Sequence, residues 1–424
     1  MGAEAVRPGP AAVIVANERS GGVGRPLEGL QVVECASFVA GPTGGMTLAQ
    51  LGASVIRIDP LGGGPDHLRW PAAGHGAGDS YYWASLNKGK RSITVDMRSD
   101  EGRELLLALA TAPGPDRGVL VDNVVGRRWM ANDVLVGRRE DLIHIRVQGY
   151  PDGRPAVDYT VNAEVGIPQI TGSEEGATPV NHVLPAWDLV TGLSVSTAVL
   201  AALYDRSRTG RGVYSELALS DVALAGVANL GWLSEAEERG HERPRHGNHV
   251  YGSFGVDFAC SDGERVMVVA LTPAQWSALV SVTGTEAVFE ALESALDTDL
   301  TGETERYRLR DTIAAVLKPW FGARDSATVE RELNAARVLW GRYQGMTRVA
   351  GEHRTGREHP LLADMTLPGG ETGITARSPM RWDGAYGDAG DAPELGRDTD
   401  GVLADVLGLG AGEIGALHDR GVVG

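Results

Sequence analysis

Short apolar runs recur along the chain with helical stretches between them. Leu30-Gln31-Val32-Val33-Glu34, Val55-Ile56-Arg57-Ile58, Ile93-Thr94-Val95, Val119-Leu120-Val121 and Ile143-His144-Ile145-Arg146-Val147 read as strands. Met46 to Leu51 reads as a helix stopped at Gly52, and Ser99 to Leu109 as a helix opened by Ser99-Asp100-Glu101. Ala40-Gly41-Pro42-Thr43-Gly44-Gly45 reads as a break between the first strand and its helix. This alternation predicts an α/β fold with a parallel, doubly wound sheet covered by helices.

The clearest helical period runs from Asp188 to Arg206, with Leu189, Leu193, Leu200 and Leu203 in phase and Thr209-Gly210-Arg211-Gly212 as its stop. Tyr214 to Leu219 is strand-like. The texture then changes. A basic, His-rich stretch from His241 to His249 precedes strands near Phe254–Phe258 and Arg265–Leu271, and helical segments fill Thr272 to about Ala336. We therefore expect a mobile extension at 1–25, a large domain begun by 26–225, a small domain at 226–335, and a return segment at 336–424. The return segment, with a helix near Thr399–Leu407, completes the large domain. No internal repeat or low-complexity tract appears.

A length of 424 residues suits two or three domains, and 42% hydrophobic with 22% charged residues suits a chain that buries a core. The net charge of −17 argues against a nucleic-acid partner or an anionic membrane surface, which need a basic face. It leaves room for a local basic pocket. Two cysteines, Cys35 and Cys260, imply no disulfide framework, and a reducing cytoplasm fits them. No apolar run reaches the ~20 residues of a membrane span, so no membrane partner is expected.

Several segments carry candidate chemistry, each with a plainer alternative. Gly41-Pro42-Thr43-Gly44-Gly45 is either a loop offering amides to a phosphate or a tight turn that needs glycine; no G-x-G-x-x-G and no Walker lysine accompany it. Lys88, Lys90, Arg91 and Arg98 put four cations in eleven residues of an acidic chain, suited to phosphates or to a solvated turn. Asp188 opens the strongest helix, either as an N-cap or as an ionised nucleophile. Asp158 is a second carboxylate of the same kind. His241, His246 and His249 lack the partners that would complete a metal site, so no metal is expected.

Taken in order, several motifs resemble the class III coenzyme A transferases, the CaiB/BaiF or formyl-CoA transferase-like family. They are Leu27-Glu28-Gly29-Leu30, Ala40-Gly41-Pro42, Gly52 to Asp59, Asn87-Lys88-Gly89-Lys90-Arg91-Ser92, Asp188-Leu189-Val190-Thr191-Gly192 and Arg206 to Gly212. The resemblance runs from about Leu27 to the C-terminus. The N-terminal extension and about Gly341 to Gly373 depart from it. It implies a Rossmann-like large domain built from both termini, a smaller α+β domain, and an interlocked homodimer.

The resemblance also implies an acyl-CoA substrate, with no tightly bound cofactor beyond the coenzyme A of the substrate itself. Asp188 matches the family's nucleophile. Val39, Ala40, Lys90, Arg91, Val95, Arg98, Asn123 and Arg154 are the implied CoA-binding positions, Arg154 reaching either a phosphate or a substrate carboxylate. His246, Gly247, Asn248, Tyr251 and Gly252 belong to a glycine-rich loop that would close over the site. Val157 to Asn162, Asn181 to Asp188 and Arg245 to Gly255 resemble the mesaconyl-CoA branch, where CoA moves between two carboxyls of one acid. Transfer to a separate free acid is the alternative, and a silent CoA-binding protein a further one. A racemase would carry His where Val157 stands.

Overall fold

The computed structural model describes residues 25–76, 80–355 and 359–424. Apart from Arg25, the expected extension at 1–25 lies outside the described residues. Strand β1 (Gln31–Cys35) leads into helix α1 (Ala40–Gln50), then β2 (Ser54–Asp59), α2 (Tyr81–Asn87), β3 (Arg91–Thr94), α3 (Asp100–Ala110), β4 (Val119–Asp122) and β5 (Ile143–Gln148). Helices α4 (Asp158–Glu164) and α5 (Ala186–Thr209) precede β6 (Val213–Ala218), which runs into α6 (Leu219–Asn229). The six strands form one parallel sheet in the order β3-β2-β1-β4-β5-β6.

Both faces of this sheet are apolar, as a helix-covered parallel sheet requires. Val33, Ile56 and Ile58 pack with Leu106 and Leu109 of α3 on one face. On the other, Val32, Val55, Val121 and Ile145 pack with Leu48 of α1 and Val195 and Val199 of α5. The strand order reverses between β1 and β4, and there the loops leaving their carboxyl ends diverge and open a crevice.

The glycine run is a correction to the sequence reading. Residues 40–45 are the first half of α1, not a break before it. A β-carbon on Gly44 would lie 2.6 Å from Val195 Cγ1, and one on Gly192 of α5 would lie 2.5 Å from Thr43 Cβ. The glycines let α1 and α5 approach closely, which propensity alone does not reveal.

Helix α7 (Trp232–Arg239) leads to a separate antiparallel sheet of β7 (Phe254–Ala259), β8 (Arg265–Ala270) and β9 (Leu339–Arg342). Phe254, Phe258, Trp276, Leu317 and Phe321 fill its core. Its third strand lies beyond residue 335, within the stretch read as the return segment. The hairpin of β10 (Leu362–Thr366) and β11 (Thr372–Ala376) follows, with Met365 packed on Ala84 of α2. Helix α8 (Thr399–Leu407) buries Val402 and Leu403 against Leu106, and Asp398 N–H bonds Ser92 O at 2.9 Å. The end of the chain thus joins the large sheet through β3.

Helix α5 buries a narrow stripe, Thr191, Gly192, Val195, Ser196 and Val199, while Val190, Leu193, Leu200 and Tyr204 stay exposed. By length and composition it is apolar enough to cross a membrane. Its buried stripe instead packs on α1.

Candidate active site

The crevice at the strand-order reversal is a cavity of about 630 Å³. Ser37 to Ala40 wall it from the β1 loop, Asn123 from the β4 loop, and Gln148 and Gly149 from the end of β5. Asn123 ties the first two loops together, donating to Ser37 O at 3.2 Å and accepting from Ser37 N–H at 3.3 Å. Asp158 and Asp188 reach the same space from the N-termini of α4 and α5.

The two aspartates play different parts. Asp158 is 1% exposed, and its Oδ2 accepts the N–H groups of Trp187 at 2.7 Å and Asp188 at 3.2 Å. It therefore caps the start of α5 from another helix, where free amides favour an anion. Its Oδ1 lies 2.7 Å from His182 Nε2. Asn162 and Asn181 extend the frame: Trp187 Nε1–H donates to Asn162 Oδ1 at 3.0 Å, and Asn162 Nδ2–H to Asn181 Oδ1 at 2.5 Å.

With Asp158 supplying the cap, Asp188 is not needed as one. Among the described residues, no hydrogen-bond donor or cation holds its carboxylate oxygens. Burial, and then the neighbouring charge of Asp158, push its carboxyl up to about 6, with Arg69 pulling the other way. An unpartnered carboxylate that still ionises near neutrality is suited to nucleophilic attack.

Of the CoA-binding positions expected from sequence, Val39, Ala40, Asn123 and Arg154 line this cavity. Arg154 is paired with Asp152 at 2.7 Å and lies 4.3 Å from the centroid of the Tyr150 ring. Arg98 borders a second cavity of about 470 Å³ with Pro60, Leu61, Arg103, Arg127 and Trp129, also at the carboxyl edge of the sheet. Val95 is buried, and its backbone bridges Val423.

Lys90 is a correction. Its ammonium is fully buried against Glu34 at 2.8 Å, Asn87 Oδ1 at 2.9 Å and Pro42 O at 3.0 Å, out of reach of any ligand. Burial lowers it to about 8 against the pull of Glu34. Arg91 likewise turns to Asp405 of α8 at 3.2 Å. Two of the four cations that cluster in sequence, Lys90 and Arg91, are thus paired with carboxylates within the fold, while Arg98 stays exposed.

The loop at 246–252 is held by contacts of its own, apart from the Asp188 cavity of the same chain. His246 is held between Glu174 at 3.0 Å and the Tyr307 hydroxyl at 2.5 Å, and Asn248 donates to Asp257 at 3.0 Å. Gly247 N–H bonds Gly172 O at 2.9 Å, and Gly247 and Gly252 take positive φ angles of 57° and 79°. The Tyr251 hydroxyl donates to Glu235. None of these residues lines the Asp188 cavity within one chain. The sequence assigned no role to His182, which lies within the Asn181–Asp188 stretch, or to Arg69. Nothing in the local spacing marks either one as a partner of the aspartates, and only the fold brings His182 to Asp158 and Arg69 to the cavity.

The model of CoA-transferase family III matches residues 27–399, and the chain belongs to that family. It is 45% identical over 399 residues to a 2-methylfumaryl-CoA isomerase of Chloroflexus aurantiacus, across 94% of this chain and 97% of the other. It is 28% identical to a succinyl-CoA:mesaconate CoA-transferase of Haloarcula hispanica, across 91% and 97%. A CaiB/BaiF family protein from Brucella suis has a solved structure that superposes with a TM-score of 0.72 at 26% identity, across 90% and 99%.

Proposed function

We propose that this protein moves CoA from the C1 to the C4 carboxyl of a methylfumaryl (mesaconyl) unit, with Asp188 as nucleophile. The observation that carries the reading is the unpartnered Asp188 carboxylate in a cavity whose other aspartate is fully engaged. The 45% identity to an isomerase of this kind supports the choice of substrate. CoA would run along the carboxyl edge of the sheet. Arg98, Arg103 and Arg127 would take its phosphates in the second cavity, and the thioester would reach Asp188.

The Asp188 carboxylate attacks the thioester carbonyl, forming a mixed anhydride and releasing CoA thiolate. The thiolate attacks the aspartyl carbonyl, giving an aspartyl-CoA thioester and free mesaconate. The acid turns, its other carboxylate attacks that thioester, and CoA thiolate then takes the new acyl carbonyl, restoring Asp188. Each acyl intermediate hydrolyses readily, so the site must exclude water throughout.

We read the exposed apolar face of α5 as a contact between two copies in a homodimer, and the two buried free cysteines as suited to the cytoplasm. Intermolecular transfer is the second reading, favoured by the 28% identity to a succinyl-CoA:mesaconate transferase. Purified protein given the C1 ester and labelled free mesaconate separates the two. The proposal expects the C4 ester without label, whereas label entering in proportion to its concentration overturns it.

A further inference from the structure

The Asp188 cavity holds two cations, Arg154 and Arg69. Arg154 is neutralised by Asp152. Arg69 pairs with no carboxylate among the described residues. Its guanidinium carbon lies 4.7 Å from the centroid of Tyr82 and 5.9 Å from that of Phe38. Stacking of this kind occupies the guanidinium face and leaves its N–H edge free for a planar anion. Arg69, Tyr159 and Asp188 line the same cavity.

The backbone around Arg69 is fixed by its neighbours. Ser80 Oγ–H donates to Arg69 O at 2.5 Å. Three residues earlier, Asp66 is 2% exposed, accepts Phe38 N–H at 2.9 Å and is bonded by Arg57 at 3.2 Å. Phe38 takes φ of +72°, a costly conformation for a non-glycine residue, and that Asp66 bond holds it there. One buried carboxylate thus positions the aromatic wall beside the arginine.

The cavity wall already contains Asp158 and Asp188. An acyl group with a second ionised carboxylate would be repelled by both unless a cation received it. We propose that Arg69 is a carboxylate subsite that holds the free carboxylate of a dicarboxylyl-CoA ester while the thioester lies at Asp188. This deepens the proposed function and rests on it for the reaction. The class of substrate it assigns is a short dicarboxylic monothioester. In an intramolecular transfer the two carboxylates of the acid exchange places, so Arg69 would grip C4 in the first half and C1 in the second.

The test uses the full-length protein and its Arg69→Gln and Arg69→Lys variants with two probes. One is mesaconyl-C1-CoA, and the other is the same ester with its free carboxylate masked as a methyl ester. The readout is the first half-reaction, release of acid with formation of the aspartyl-CoA thioester, because the masked ester cannot complete the second.

The wild type should favour the free acid by at least about 100-fold, as sites built to bond one charged group do. Arg69→Gln should lower the rate with the free acid about 100-fold and with the masked ester less than about threefold, and Arg69→Lys should fall between. Equal losses on both probes, or a shift confined to the acidic limb of the pH profile, overturn the subsite. If Arg69→Gln does not fold, the Arg69→Lys ratio decides on the same criterion. Labelled-mesaconate exchange in the wild type reports separately on intramolecular transfer. The isomerase reading can therefore fail while the subsite stands, and the reverse.

Discussion

Two groups of charge meet near the strand-order reversal, and they are built on opposite principles. Glu34, Arg57, Asp59, Asp66 and Lys90 are all buried, and each is matched: Arg57 bonds Asp59 at 2.7 Å and Asp66 at 3.2 Å, and Lys90 bonds Glu34 at 2.8 Å. In the cavity, Asp158 is matched by His182 and two amides, while Asp188 and Arg69 are left open. Charges removed from water persist in a fold only when paired. An open pair of opposite sign, spaced across a cavity, is then the mark of a place where something else binds. The matched cluster sets the loop that carries Phe38, and the open group is the one we propose for the chemistry.

The sharpest way to break this comparison is Asp188→Asn. We expect kcat to fall by about 10⁴ or more, roughly 5 kcal/mol, as the loss of a covalent nucleophile requires. Retention of a tenth of the activity in steady-state assays would sink the assignment. Lys90→Met attacks the other cluster and should cost about 3–5 kcal/mol in denaturant unfolding, because it leaves buried Glu34 with only the longer 3.4 Å contact to Arg57. The KM for the CoA ester of whatever folds should stay unchanged. A raised KM at unchanged stability would return Lys90 to the ligand.

The open group should also be visible in pH. With its carboxyl at about 6, Asp188 is protonated below that value and cannot attack, so kcat should fall about tenfold per pH unit on the acid side of about pH 6. A profile flat to pH 5 contradicts this. Stability should move the opposite way. A carboxyl raised in the fold binds more protons folded than unfolded between its ordinary range and about 6. Stability is therefore lost as pH rises through that window, and the penalty is complete above it. Asp188→Asn should stabilise the protein by ~1 kcal/mol at pH 7.5, after discount for partial exposure, and by nothing at pH 4. Thermal unfolding at the two pH values checks the sign. Smallest of all, Arg98→Ala should raise KM for the CoA ester by about threefold, less at high salt, since an exposed ion contact is worth under ~1 kcal/mol.

Much of the sheet was legible in sequence because buried parallel strands are short apolar runs with clear stops. Helix α5 was legible from its leucine spacing, and α3 from the Ser99 cap, whose Oγ accepts Gly102 N–H at 3.0 Å. The first half of α1 was not, because glycine and proline signal a turn, and only the closeness of α5 shows why they sit in a helix. Asp188 was legible as a candidate through its motif. Its freedom was not, since that depends on Asp158 capping from thirty residues away in the chain. The fate of Lys90 was hidden for a similar reason: a lysine does not announce a glutamate 56 positions earlier.

The contact between Gly44 and Val195, and between Gly192 and Thr43, bears on how such a protein can diverge. Gly192 lies one helical turn past Asp188, so an added methyl there would tilt the end of α5 and carry the aspartate with it. A lineage drifting through sequence space cannot cross that position by single steps, because relief would need a compensating change on α1 at the same moment. The residues that line the cavity, Phe38, Arg69 and Val157 among them, stand on loops and helix starts with no such lock. New acids can be accepted by altering that wall, while the two helices behind it inherit their spacing unchanged.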